Sequence, residues 1–141
     1  DGRIVGVDVG IRELAVTSDG VFYENINKTA SVRKVEKRLK RLQRRASKKY
    51  KKGTPKSKHL LKLEGEIRKQ HRRLANIRTN HVHQATAEIV KTKPSRIVME
   101  TLNISSMMKD KHMAKAVANQ KLYFFKQCLQ YKCELNGIEF V

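Results

Sequence analysis

Two carboxylates stand out for the company they keep. Asp8 lies in Gly6-Val7-Asp8-Val9-Gly10, between the apolar runs Ile4-Val5 and Leu14-Ala15-Val16. An acid within a run of β-branched residues is costly to bury unless a cation or hydrogen bonds compensate it. Asp8 therefore belongs at a strand end facing a cleft, or against a metal. Glu100 closes a second strand-like run, Arg96-Ile97-Val98-Met99-Glu100. Two strands that each deliver one acid at the tip fit metal-dependent phosphodiester chemistry. That chemistry needs a clamp on the phosphate oxygens and an activated water, and two carboxylate-held divalent ions about 3.5–4 Å apart supply both. Mg²⁺, or Mn²⁺ in its place, suits oxygen ligands and keeps several waters, so few protein carboxylates suffice. Asp19 belongs to a turn and Asp110 to a loop, Glu13 opens a strand, and Glu24 sits on one without a partner motif. A carboxylate capping a turn, for Asp8, and a strand-end charge reaching water, for Glu100, are the plainer readings that spacing leaves open.

The charge of the chain points the same way. Its 141 residues carry 32 Lys and Arg against 13 Asp and Glu, a net +19. A surplus of that size fits a polyanionic partner, of which nucleic acid is the commonest. It is concentrated in one segment. Residues 28–73 hold 20 Lys and Arg and 3 Asp and Glu, whereas the rest hold 12 and 10.

The positioning elements follow from hydrophobic periodicity. Residues 3–8, 13–18 and 21–26 read as short strands, with Ser18-Asp19-Gly20 as a tight hairpin turn, so the three form an antiparallel meander. Gly10 lets the chain turn sharply after the first strand, either as a plain turn residue or to approach a ligand closely. From Ser31 the period changes. Val32, Val35, Leu39, Leu42 and Ala46 make a narrow helical stripe in a coat of Lys and Arg, and Lys52-Gly53-Thr54-Pro55 ends it. A second stripe runs through Leu60, Leu63, Ile67, Leu74 and Ile77 to Ile89, predicting an antiparallel helical hairpin inserted over roughly 31–91. Pro94 stops that helix before a strand at 96–100. Residues 112–135 predict one further helix, stopped by Asn136-Gly137 ahead of a last strand from Ile138. Meander, hairpin, strand, helix, strand is the layout of an α/β domain of the RNase H-like type. There the strand after the first helices lies parallel to the first strand, and Asp8 and Glu100 emerge side by side.

On the hairpin, Lys34, Arg38, Arg41, Arg45 and Lys48 are spaced four, three, four and three. They form one outward stripe able to follow a phosphate backbone.

The run from Gly6 to Gly20 resembles the first RuvC motif of the TnpB (OrfB) proteins of insertion sequences. Ile97-Val98-Met99-Glu100-Thr101-Leu102-Asn103-Ile104 resembles the second, followed by Met107-Met108-Lys109 and a helix through Phe124-Phe125, Leu129, Tyr131-Lys132 and Gly137. The similarity runs in order along nearly the whole chain, basic hairpin included. It implies an RNase H-like (RuvC-like) nuclease fold, Mg²⁺ dependence, and a transposon-encoded, RNA-guided DNA endonuclease of the kind long known as transposases. It also implies DNA and a guide RNA from the transposon end as partners. Asp8 matches the first catalytic aspartate of that family and Glu100 its catalytic glutamate, both as metal ligands. Where many members have an acid after the glutamate, this chain has Thr101. The third catalytic aspartate lies beyond a four-cysteine zinc ribbon, and the N-terminal recognition region precedes the first motif. All three are expected outside these residues, which makes the chain a catalytic-domain fragment, inactive alone.

Gly-Val-Asp-Val-Gly also resembles the phosphate loop of actin-like ATPases, but Ile11 stands where those have Thr or Ser, and the basic hairpin has no place there. A non-catalytic nucleic-acid-binding protein explains the charge but not two acid-tipped strands. A decayed transposase remnant, folded but inactive, is a third reading that the sequence leaves open. Cys128 and Cys133 lack partners at metal-site spacing and read as reduced, buried thiols. His81 and His83 fall on different sides of a helix, which argues against a shared metal. Phe125 reads as core rather than as a base-stacking ring. No apolar run spans a bilayer, so no membrane partner is expected, and the expected location is the cytoplasm, in association with the nucleoid.

Overall fold

The computed structural model describes residues 2–100 and 102–141, which leaves Thr101 outside the described residues. In chain order the elements are β1 (Ile4–Val9), β2 (Glu13–Thr17), β3 (Phe22–Glu24), a 3₁₀ turn (Ile26–Lys28), α1 (Ala30–Lys49), α2 (Lys58–Lys91), β4 (Arg96–Met99), α3 (Leu102–Lys109), α4 (Ala114–Gln120), α5 (Leu122–Leu135) and β5 (Glu139–Phe140). The strands form one mixed sheet in the order β3-β2-β1-β4-β5. β1 pairs antiparallel with β2, and β2 with β3, as the expected meander. β4 lies parallel to β1, and β5 parallel to β4.

Contacts divide the chain into two compact units, one running to Asn27 and resuming at Arg78–Val141, the other Lys28–Ile77. In the first unit, strand alternation sends Val5, Val7 and Val9 of β1 into a single core with Leu14, Ala15, Ile97 and Met99. Val82, Ala85 and Ile89 of α2 join that core, as do Phe125, Leu129 and Cys133 of α5. Phe125 is fully buried, as its periodicity requires. The last turns of α2 thus belong to the sheet unit. In the second unit, Val32, Val35, Leu39, Leu42 and Ala46 of α1 are all buried. Leu42 and Ala46 pack with Leu60 and Leu63 of α2, and Ile67 lies against them, which makes the pair antiparallel. Gly53 supplies the positive φ (+81°) in the link.

Two elements differ from the sequence reading. The single helix expected over 112–135 is divided at Lys121, which adopts a left-handed conformation (φ 54°, ψ 48°) between α4 and α5. The apolar positions explain the break. Val117 and Leu122 are five residues apart, a spacing that an unbroken helix turns to different sides, yet both are 1% exposed. The break re-phases the chain so that both face the core. The other difference is α3, a helix over Leu102–Lys109 that the sequence did not announce; it buries Ile104 completely.

Candidate functional site

Val7 and Val9 are buried, so the pleat sets Asp8 on the opposite, exposed face of β1. Asp8 therefore carries no burial cost, and the hydrophobic run around it is the inward face of the same strand. The β1–β4 register pairs Gly6 with Val98 and Val7 with Met99. Asp8 and Glu100 are the next residues along the two chains, and Glu100, directly after β4, is exposed like Asp8. On its other side Asp8 pairs with Val16 of β2. Two of the other acids are engaged locally. Asp19 takes an ion pair from Arg3 at 3.0 Å, and Asp110 accepts the His112 N–H at 2.8 Å. Among the described residues, no group of three or more His, Cys, Asp or Glu is placed to hold a metal ion.

The turn that follows Asp8 is held by side-chain amides, which the sequence reading missed. Gln120 donates from Nε2 to the Gly10 carbonyl at 3.0 Å, and Asn25 donates from Nδ2 to the Ile11 carbonyl at 2.7 Å. Asn27 donates to Asn25 Oδ1 and to the Asn119 carbonyl at 3.0 Å, and accepts from Arg78 Nε at 2.7 Å. His81 Nε2 meets the Glu24 carbonyl at 2.7 Å. The residues joined in this way come from the β1–β2 turn, the end of β3 and the segment after it, α2 and α4. Only the Asn25-Ile26-Asn27 spacing carried a local signal, that of an Asx turn.

Neither cysteine is poised for chemistry. Both are free and buried. Burial pushes the Cys133 thiol up to about 11, with Glu134 adding to it, and burial raises Cys128 against the opposing charge of Lys132. Lys132 is itself pushed down by burial, and it donates to the His83 carbonyl at 2.8 Å and to Thr86 Oγ1 at 2.7 Å.

On the hairpin, Lys34, Arg38, Arg41, Arg45 and Lys48 are all exposed, opposite the buried stripe. A second row escaped the sequence reading although its spacing is equally helical. Lys37, Lys40 and Arg44 join Arg41 along an open groove on α1. Lys48 and Lys49 lie in the last turn, where the helix dipole favours cations.

Residues 1–111 match the model of the OrfB_IS605 family, described as "Probable transposase". The chain belongs to this family. A relative from Escherichia coli (strain K12), named "Putative RNA-guided DNA endonuclease InsQ", is 38% identical over 106 residues, which is 75% of this chain and 24% of the relative. A "Putative RNA-guided DNA endonuclease" of Mycobacterium tuberculosis (strain CDC 1551 / Oshkosh) is 34% identical over 119 residues, 83% of this chain and 25% of the relative. The chain thus spans about a quarter of the length of these OrfB relatives. Among solved structures, the Cas12f1–sgRNA–target DNA complex matches 99% of this chain and 35% of that one, at a TM-score of 0.55 and 17% identity. A CRISPR-Cas12f ternary complex matches 99% of this chain and 28% of that one, at 0.59 and 18%. At such identity the likeness concerns the fold, a mixed α/β fold that this OrfB chain shares with Cas12f. Among the described residues, no helix is long and apolar enough to cross a membrane.

Proposed function

We propose that this chain supplies the first two acids of an RNase H-like (RuvC-like) nuclease centre within a transposon-encoded, RNA-guided, metal-dependent DNA endonuclease. The observation that supports the reading is the parallel β1–β4 register, whose last pair is Val7 with Met99, the residues immediately before Asp8 and Glu100. Both acids are exposed and on hand for a cation. Their oxygens suit Mg²⁺ or Mn²⁺, and Asp8 and Glu100 would hold it. Bound there, a divalent ion stabilises charge at the scissile phosphate and activates a water. Two carboxylates are fewer than the resemblance implies for a complete centre. The relatives are several times longer, which leaves room for a third acid, a zinc ribbon and a recognition region. The 141-residue chain alone is then without cleavage activity. DNA and a guide RNA are the partners this reading assigns, from the names of the relatives and from the basic stripe of α1, and the nucleoid is the expected location.

Two measurements test it. In a full-length parent, Asp8→Ala or Glu100→Ala abolishes DNA cleavage while RNA and DNA binding stay near wild type, because the acids hold metal rather than phosphate. Retained cleavage in either variant moves the chemistry elsewhere. In the chain itself, Mn²⁺ broadens the amide resonances around Asp8 and Glu100 selectively, and Asp8→Ala removes the effect. A non-catalytic nucleic-acid-binding protein, or a decayed transposase, is the second reading. It predicts no selective broadening.

A further inference from the structure

We propose that the tip of the helical hairpin is a binding pocket for one unstacked nucleotide of a single-stranded nucleic acid. The proposal rests on the nucleic-acid reading of the hairpin and adds to it a site distinct from the stripe on α1. Tyr50 caps α1 in an extended conformation (φ −77°, ψ 128°), with its N–H on the Ala46 carbonyl at 3.1 Å. That leaves the residue 57% exposed at the point where the helix stops. The link is ordered by its own hydrogen bonds. Thr54 Oγ1 donates to the Lys51 carbonyl at 2.9 Å, and Ser57 Oγ accepts the Leu60 N–H at 3.1 Å, capping α2. Lys56 pairs with Glu64 at 2.9 Å, which fastens the far side of the link to α2.

The hairpin tip forms a half-open pocket of about 270 Å³. Its apolar lining is Tyr50, Pro55 and Leu60, its charged lining is Lys49, Lys51 and Lys56, and no carboxylate lines it. Lys56 is already committed to Glu64. Lys49 and Lys51, which flank Tyr50 in sequence, are the cations available to a phosphate. Small-molecule pockets begin near 300 Å³, so the cavity suits one base and no larger group. An aromatic ring beside lysines is the combination that single-strand binders use, with stacking for the base and charge for the backbone. A duplex keeps its base faces stacked on one another and has none to offer. That separates this pocket from the α1 stripe, which needs only phosphates.

The chain contains no tryptophan, so Tyr50→Trp introduces a single reporter that keeps the stacking face. Oligouridylate and oligothymidylate are expected to quench its emission saturably, whereas a blunt DNA duplex bound by the same chain leaves it unchanged. Tyr50→Ala weakens binding of the single strands roughly five-fold or more, Tyr50→Phe restores it, and duplex affinity and its salt dependence do not move. Thermal unfolding of each variant close to wild type checks that an exposed position was changed without loss of fold. Equal quenching by the duplex, or unchanged single-strand affinity in Tyr50→Ala, overturns the pocket while leaving the basic hairpin a binder. Absence of salt-dependent binding to either strand form overturns the pocket and the nucleic-acid reading together.

Discussion

Gln120 donates from its Nε2 to the carbonyl oxygen of Gly10, two residues beyond Asp8, at 3.0 Å. The side chain is 2% exposed, and its Oε1 has no hydrogen-bond partner among the described residues. The bond reaches from the end of α4 to the turn that follows Asp8, with a buried donor and a half-buried acceptor.

Gln120→Leu removes the donor to the half-buried Gly10 carbonyl, which is expected to cost about 0.5–1.5 kcal/mol. Gln120→Glu costs more at neutral pH, because a buried carboxylate then faces that carbonyl. The sign reverses on acidification. Burial raises the pKa of such a carboxyl in the folded state, so the protonated form donates to Gly10 and stability recovers as pH falls. Urea midpoints against pH measure both effects. A Gln120→Leu variant as stable as wild type would show that the bond holds nothing.

The left-handed residues give a second prediction. Lys93 and Lys121 have φ of 51° and 54°, a conformation in which a Cβ costs about 1–2 kcal/mol. Lys93→Gly is expected to stabilise the chain by about 0.5–1 kcal/mol, the strain relieved less the added freedom of the unfolded state. Lys121→Gly gains less, since Lys121 Nζ sits 5.9 Å from the centre of the Phe124 ring and that contact is lost. Thermal unfolding ranks the two. A loss of stability in Lys93→Gly would refute the account of the strain.

What the sequence made legible, and what it did not, divides along physical lines. The meander, the stripe on α1 and the strand ending at Glu100 rest on local periodicity, and each was readable. The parallel pairing of β1 with β4 followed from element order. The break at Lys121 was not readable, because the helical three- and four-residue spacings from Leu122 through Phe125 to Leu129 disguise the five-residue step from Val117. α3 escaped because its short run mixes Ser105 and Ser106 with Met107 and Met108. The amides that hold the turn after Asp8 come from segments far apart in sequence, and no local pattern announces such a network. The outward direction of Asp8 was implicit in the alternation of Val7, Asp8 and Val9, once both valines are taken as core.

The buried thiols give a dependence on alkaline pH. Cys133 is held at about 11, against an ordinary 9.0, by burial and then by Glu134. Between those values the folded state keeps a proton that the unfolded state has released. The stabilisation from the buried thiol is thus complete below about pH 9 and is lost as pH rises toward 11. At about 1.4 kcal/mol per unit, the loss reaches roughly 2–3 kcal/mol. Lys132, pushed down by burial, acts in the opposite sense, since its folded form sheds a proton first and stability rises with pH. Cys133→Ala isolates the thiol. Under reducing conditions its urea midpoint should fall less steeply than that of wild type over this range, and parallel slopes would count against a buried, neutral thiol.

The basic stripe of α1 can be tested without knowledge of any guide. Val35, Leu39 and Leu42 are buried, while Lys34, Arg38, Arg41, Arg45 and Lys48 are exposed. Charge can therefore be removed without touching the core. Each phosphate that a cation neutralises steepens the logarithmic salt dependence of binding by about 0.7 on single strands and 0.9 on duplex DNA. Replacing Arg38, Arg41 and Arg45 with Gln is thus expected to flatten the slope by roughly two units and to weaken binding to every sequence alike. A merely solvated basic face predicts no change in slope and near-neutral affinities. Fluorescence anisotropy across a salt series separates the two, because a general loss of folded protein lowers the amplitude of binding but leaves its slope in place. If the slope does not move in a variant that unfolds at the wild-type temperature, the stripe lies off the binding surface.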